Sequence, residues 1–184
     1  DIIKTYKINP NKITVAYNGV SNVFSKIEEK QKKIIQKTYS SGKEFFVFIG
    51  SLHKRKNIRN LLLAFDIYRK KGGESKLIII GQTKWQDKKT RITYQNLSFK
   101  QDVIFLGYLK DVLMRSILSA SQALCFISIF EGFGMPIVEA MKSEVPVITS
   151  STSCMPEIAG DAALIVNPLD INSIEGAMTK IDGN

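Results

Sequence analysis

The stretch 45-FFVFIG-50 carries five consecutive apolar residues and then stops on a glycine. A strand with one wet face alternates apolar and polar residues, whereas an unbroken apolar run expects cover on both faces, as in a parallel sheet between layers of helices. Two further runs, 77-LIIIG-81 and 103-VIFLG-107, repeat the pattern. Between the first two, Ile58, Leu61, Leu62, Phe65 and Ile67 or Tyr68 form a helical stripe after Asn57, closed by 69-RKKGG-73. The second crossover reads as a helix over 84–98 and the third over 111–119. Then follow a strand at 123–127, a helix from Met135 to Lys142, a strand at 145–149, a short turn or helix at 155–160, a strand at 162–166 and a closing helix from Asp170. Strands alternating with helices predict a doubly wound α/β fold with a parallel sheet. Its ligand belongs beyond the carboxyl ends of the strands, where the loops after Gly50, Gly81, Gly107 and Phe130 converge.

Residues 1–44 differ from the rest. A strand-like 13-ITVAY-17 and the turn 18-NG-19 precede a charged helical stretch ending in 40-SSG-42, which reads as a linker leading into a domain over 45–184. At 184 residues and 44% hydrophobic content, one folded unit with a substantial core is expected. The apolar runs fall far short of the roughly 20 residues a membrane helix needs, so the reading is a soluble, cytoplasmic protein. Cys125 and Cys154 form no CxxC or zinc-site pattern, which fits a reducing compartment, and His53, the sole histidine, reads as an ordinary loop residue.

The net charge of +9 is unevenly placed. Residues 1–110 carry 23 basic against 8 acidic side chains, and residues 111–184 carry 3 against 9. A basic half suits nucleic acid, an anionic membrane surface or a phosphate-bearing small molecule. Solvated helix faces at 28–37 and 84–91 account for much of it. The interleaved aromatic and basic residues of a nucleic-acid stacking platform are missing, which disfavours a nucleic-acid-binding module.

Two loops carry chemistry. The cationic 50-GSLHKRKN-57 lies between a strand end and a helix start, where side-chain charge and free helix N–H groups both favour an anion such as a diphosphate. In 131-EGFGMPIVEA-140 the glycines permit close backbone approach and Pro136 suits a helix's first turn. Glu131 and Glu139 flank that turn as acceptor-only groups suited to sugar hydroxyls; an acid and base pair for glycoside hydrolysis is the competing use.

These residues bear a resemblance. The run 123-ALCFISIFEGFGMPIVEAMKSEVPVITSSTSCMPEIAGDAALIVNP-168 resembles the C-terminal nucleotide-sugar-binding domain of retaining GT-B glycosyltransferases of family four (group 1), whose E-x7-E pattern matches Glu131 and Glu139. The likeness extends through 47–65, 78–81, 104–121 and 14–24. It implies a Rossmann-like fold and a nucleotide-sugar partner, GDP- or UDP-linked. It further implies Lys56 and Arg55 on the donor diphosphate, Glu131 near the donor sugar as the third catalytic residue, and Glu139 on the ribose hydroxyls. Gly50 and the backbone of Phe133, Gly134, Met135 and Pro136 then lie along sugar and phosphate, with Tyr108 and Leu109 bordering the base. No metal or other cofactor is expected, because cations and helix dipoles stabilise the departing diphosphate.

Two positions depart from the family pattern: Ser51 stands where an arginine is frequent, and Glu144 where a glycine or small residue is usual. The second departure is expected to be neutral. The N-terminal GT-B domain that would receive a glycan or lipid-linked acceptor has no match here, and the last helix reads as cut short at Asn184. The chain is therefore expected to be a C-terminal half that binds donor but transfers nothing alone, with peripheral membrane contact through its basic half as an addition. A nucleotide-sugar epimerase or glycogen-synthase-like enzyme shares the same architecture.

Overall fold

The computed structural model describes residues 2–82 and 88–183. In chain order the elements are α1 (Ile2–Tyr6), α2 (Glu29–Ser40), β1 (Phe45–Ile49), α3 (Ile58–Lys70), β2 (Lys76–Ile80), α4 (Lys88–Gln95), β3 (Val103–Gly107), α5 (Asp111–Ala120), β4 (Ala123–Phe126), α6 (Met135–Lys142), β5 (Val147–Ser150), α7 (Met155–Ala159), β6 (Leu164–Val166) and α8 (Ile171–Asp182). The six strands form one sheet in the order β3-β2-β1-β4-β5-β6, every pairing parallel. The predicted doubly wound α/β fold is what the chain adopts. The start of the helix predicted over 84–98 lies outside the described residues.

Unbroken apolar strands are explained by cover on both faces. Phe46, Phe48, Leu77, Ile79 and Cys125 point into a core shared with α3 and α8. Phe45, Val47, Ile78, Leu124 and Phe126 point into a second core with α2, α5, α6 and α7. Alternate residues of one strand thus feed different cores, and Phe45, Phe46, Val47 and Phe48 are all fully buried. On α3 the buried stripe takes Tyr68, with Ile67 only partly covered. Helix α2 packs on α5, contributing Ile35 to the second core beside Phe24.

Residues 13–17 are not a strand. They pair with no described strand, and Val15 and Tyr17 are exposed. An alternating pattern becomes a strand only where a sheet edge offers backbone partners, and the edges here belong to β3 and β6. Tyr17 is anchored by its side chain instead: its hydroxyl donates to Glu157 Oε1 at 2.6 Å.

The strand order reverses between β1 and β4, which puts the topological switch point, the usual ligand crevice of such sheets, above these two strands. Here backbone crowding dictates glycine. A Cβ on Gly81 would lie 1.9 Å from the Gly50 carbonyl oxygen. Glu144 has the opposite problem. After α6 the Glu144 N–H donates to the Met141 carbonyl (3.0 Å) and the Val145 N–H to the Ala140 carbonyl (2.9 Å), a Schellman closure. That closure places Glu144 at φ +57°, a left-handed conformation that costs a residue with a side chain roughly 1–2 kcal/mol. The position is therefore not neutral toward its side chain, contrary to the sequence expectation; Glu144 occupies a slot shaped for glycine, partly offset by an exposed ion pair with Lys26 at 2.8 Å.

Two substitutions test this account by chemical denaturation. Gly81→Ala is expected to destabilise the chain by more than about 3 kcal/mol or to prevent folding, since backbone must shift to admit the methyl group. Glu144→Gly is expected to stabilise it by about 1 kcal/mol.

Candidate functional site

The loop after β1 turns once as a 3-10 helix, Lys54–Lys56, before α3 begins. Asn57 makes that junction possible. It sits at φ +57°, tolerable for asparagine, and its buried amide donates to the carbonyls of Ile127 (3.2 Å) and Pro168 (2.6 Å). The turn is thereby fastened to the loop after β4, and the Ile129 N–H donates to the Arg55 carbonyl at 2.8 Å as a second tie.

Between the two loops lies a buried carboxylate. Glu131 Oε1 is 2.7 Å from Lys56 Nζ and Oε2 is 2.6 Å from Arg55 Nη1. Arg55 also donates to the Phe130 carbonyl at 3.1 Å. Burial alone would raise the Glu131 pKa; Lys56, Ser128 and Arg55 outweigh it and hold the group below the usual carboxylate value. Lys56 is itself buried, its Nζ 4.6 Å from the centre of the Phe126 ring. Gly50 lies beside this lysine at φ +151°, a backbone angle side chains rarely adopt, where a Cβ would press on Phe48 Cζ at 3.3 Å and touch Lys56 Cε at 3.4 Å. The structure thus brings Arg55, Lys56, Glu131 and Gly50 into one cluster. His53 stays outside it, an exposed loop residue whose Nδ1 accepts from the Arg55 N–H at 3.3 Å.

Four residues past Glu131, α6 begins. Gly134 caps it at φ +99°, Met135 and Pro136 form its first two positions, and no side chain caps the helix start. Helix α7 opens on the same Met-Pro pair, Met155 and Pro156. Glu139 lies one turn into α6, half-buried, and among the described residues no donor or cation meets its carboxylate. Burial first, and then the negative charge of Asp111, raise its pKa above the ordinary value.

Asp111 also lines a cleft of about 440 Å³ over the ends of β1, β2 and β3, together with Gly50, Ser51, Gly81, Tyr108 and Leu109. Tyr108 projects there 78% exposed. Phe133 lies apart from it, its ring 6.4 Å from that of Tyr17. Tyr108 and Phe133 therefore line separate cavities, the second shared with Tyr17, Val138 and Glu157.

Chemically the arrangement suits an anion bearing hydroxyl groups. Arg55 has five N–H donors and uses two; Lys56 has three and uses one on Glu131. The spare donors and the uncapped start of α6 carry the same sign, while Glu139 offers free acceptor lone pairs nearby. Asp111, Phe126 and Asn57 were not singled out from the sequence as site residues. Only their loop-end and helix-start positions could have suggested them, because what they touch is distant along the chain.

The family described as "Glycosyl transferases group 1" matches residues 29–181. The O-antigen chain mannosyltransferase RfbU of Salmonella typhimurium is 30% identical over 181 residues, 98% of this chain and 47% of its own length, so the chain spans about half of that relative. Among solved structures, the C-terminal domain of the glycosyl transferase group 1 protein LpcC of Francisella tularensis superposes with a TM-score of 0.76 at 23% identity, over 90% of this chain and 89% of that one. Anabaena HepE, solved in complex with UDP-glucose, superposes with a TM-score of 0.80 at 19% identity, over 91% of this chain and 47% of its own. With a family match across most of its length and a relative 30% identical over 98% of it, the chain belongs to the group 1 glycosyl transferases, and its parallel six-stranded sheet has the fold of the C-terminal domain solved for the Francisella protein.

Proposed function

We propose that this chain binds a nucleotide-diphosphate sugar as the donor half of a retaining glycosyltransferase, which moves a hexose of the mannose or glucose type to a glycan or lipid-linked acceptor. The observation that carries the reading is the pairing of both Arg55 and Lys56 with Glu131, in the loop that runs directly into the uncapped start of α6, with an unpaired Glu139 one turn into that helix. The mannosyltransferase name of the Salmonella relative and the UDP-glucose bound to the Anabaena protein support it.

In this reading Arg55 and Lys56 turn their spare donors to the diphosphate. As the glycosidic bond to it breaks, negative charge grows on the departing oxygen, and fixed cations there lower the barrier without having to reorient. The helix start adds roughly 0.3–1 kcal/mol, up to about 2 where partly buried. In this reading the two cations and the helix start take the part that a metal would otherwise play. Glu139 accepts from the ribose hydroxyls, Tyr108 and Leu109 border the base, and Glu131 presents one edge of its carboxylate to the sugar. Lysines at 30, 33 and 37 on the exposed side of α2 supply the basic face for contact with an anionic membrane surface.

Two calorimetric titrations test this with UDP, GDP and their hexose conjugates. One of the nucleotides is expected to saturate the chain, and Glu139→Ala to weaken it by about 10- to 100-fold, the equivalent of losing a hydrogen bond to a charged group; no saturable binding of either nucleotide overturns the proposal. The second is run against pH. Hydroxyl donors favour the ionised Glu139, whose pKa is raised in the empty chain, so affinity is expected to fall as pH drops through that raised value, earlier than an ordinary glutamate at about 4.3 would dictate. Glu139→Gln is expected to remove that portion of the pH dependence.

A further inference from the structure

Beyond β4 the chain leaves the sheet and runs irregularly through 127–134, where its backbone carbonyls have no strand to pair with. Buried or half-buried carbonyls need donors. They find them in the side chains of 149-TSSTSC-154. Thr149 Oγ1 donates to the Phe126 carbonyl (2.8 Å), Ser150 Oγ to Ser128 (2.6 Å), Thr152 Oγ1 to Ile129 (2.9 Å) and Ser153 Oγ to Glu131 (2.8 Å). Cys154 Sγ completes the series, 3.3 Å from the carbonyls of both Glu131 and Phe133. Where the backbone ladder between β4 and β5 ends, a ladder of hydroxyls and one thiol continues it along the loop that carries Glu131.

Ser153 has a special place in this ladder. Its hydroxyl donates to the Glu131 carbonyl and also accepts the Glu131 N–H at 3.3 Å, so it satisfies both backbone groups of that residue. To do so it adopts φ +58°, a left-handed conformation that a serine does not favour and that persists only where its surroundings enforce it. Helix α7 follows immediately and fixes the turn, with Met155 fully buried. The thiol of Cys154 also reaches the Glu131 carbonyl but is a weaker donor than a hydroxyl; within this ladder it is Ser153 whose side chain meets both the N–H and the carbonyl of Glu131.

We propose that Ser153 is a positioning residue for the donor site: its hydroxyl holds the Glu131 backbone so that the carboxylate reaches Arg55 and Lys56 together. The inference rests on the donor-binding reading above, and predicts that affinity and stability respond to different properties of this side chain. Affinity follows the hydroxyl. Stability follows the backbone angle, which glycine relieves and alanine does not.

The experiment compares Ser153→Gly and Ser153→Ala with the unsubstituted chain in three measurements: titration with the UDP- and GDP-hexose conjugates, thermal unfolding, and amide hydrogen exchange of residues 131–134. Both variants are expected to bind about tenfold more weakly, as befits losing a pair of hydrogen bonds, and to exchange faster at Glu131. Ser153→Gly is expected to unfold at a temperature equal to or above the unsubstituted chain, and Ser153→Ala below it. A purely structural role makes affinity track the unfolding temperature across both variants; that result, or full affinity in Ser153→Gly, overturns the proposal. If the unsubstituted chain binds neither conjugate, the donor-site reading falls, and unchanged exchange at Glu131 then separately removes the positioning claim.

Discussion

A carboxylate shared between two cations, sunk between the loops after β1 and β4, is the interaction on which the upper end of this molecule depends. Glu131 and Lys56 are both nearly out of water, and a charge in that position is tolerated only with its partner in place. Removing one member of such a pair costs about 3–5 kcal/mol because the other is left buried and unpaired. Everything around the triad serves its geometry. Gly50 supplies a backbone angle beside the lysine that side chains rarely adopt, Phe126 gives its ring face to the ammonium, and Asn57 takes a left-handed bend so that its amide pins the cationic turn to the neighbouring loop.

The opposite end of the sheet is built on different terms. Tyr68 donates to Asp182 at 2.7 Å, the Ser75 hydroxyl shares its one proton between Gln122 Oε1 (2.7 Å) and the same aspartate (3.0 Å), and the Gln122 amide donates there at 3.0 Å. Burial would raise the Asp182 pKa, but its donors Gln122, Tyr68 and Ser75 prevail and lower it. Each polar group in that network has a protein partner. Left-handed residues that carry a side chain are not confined to one place: Ser41 and Glu144 close α2 and α6, while Asn57 and Ser153 hold the loops beside Glu131. Only the latter pair is tied to the proposed site, and there the surrounding hydrogen bonds hold the backbone in place.

Much of this was legible in the residues because burial on two faces leaves a plain mark. The apolar runs at 45–49, 77–80 and 103–106 gave strands, and the Gly-Met-Pro start and Lys142 bounded α6 as the structure has it. Patterns that need a partner to be meaningful were harder. The alternation at 13–17 looked like a strand because sequence does not show whether a sheet edge is nearby. Glu144 looked innocuous because a side chain does not announce its φ. The carboxylates at 131 and 139 could be picked out, yet not that the first is already occupied by Arg55 and Lys56 while the second feels Asp111. The hydroxyl ladder was hidden for the same reason: 149-TSSTSC-154 reads as a polar turn until the carbonyls some 22 residues earlier are seen beside it.

The shared carboxylate has one more consequence, on the proposed reading, for how a catalytic cycle ends. A pocket built only from an arginine and a lysine would hold a spent diphosphate tightly, and vacating it would strand two like charges side by side in a desolvated place. Glu131 waits there as an internal counter-ion. As the nucleotide product leaves, the cations keep the carboxylate between them instead of facing each other bare, so egress uncovers only their spare donors and the vacant state stays folded between turnovers.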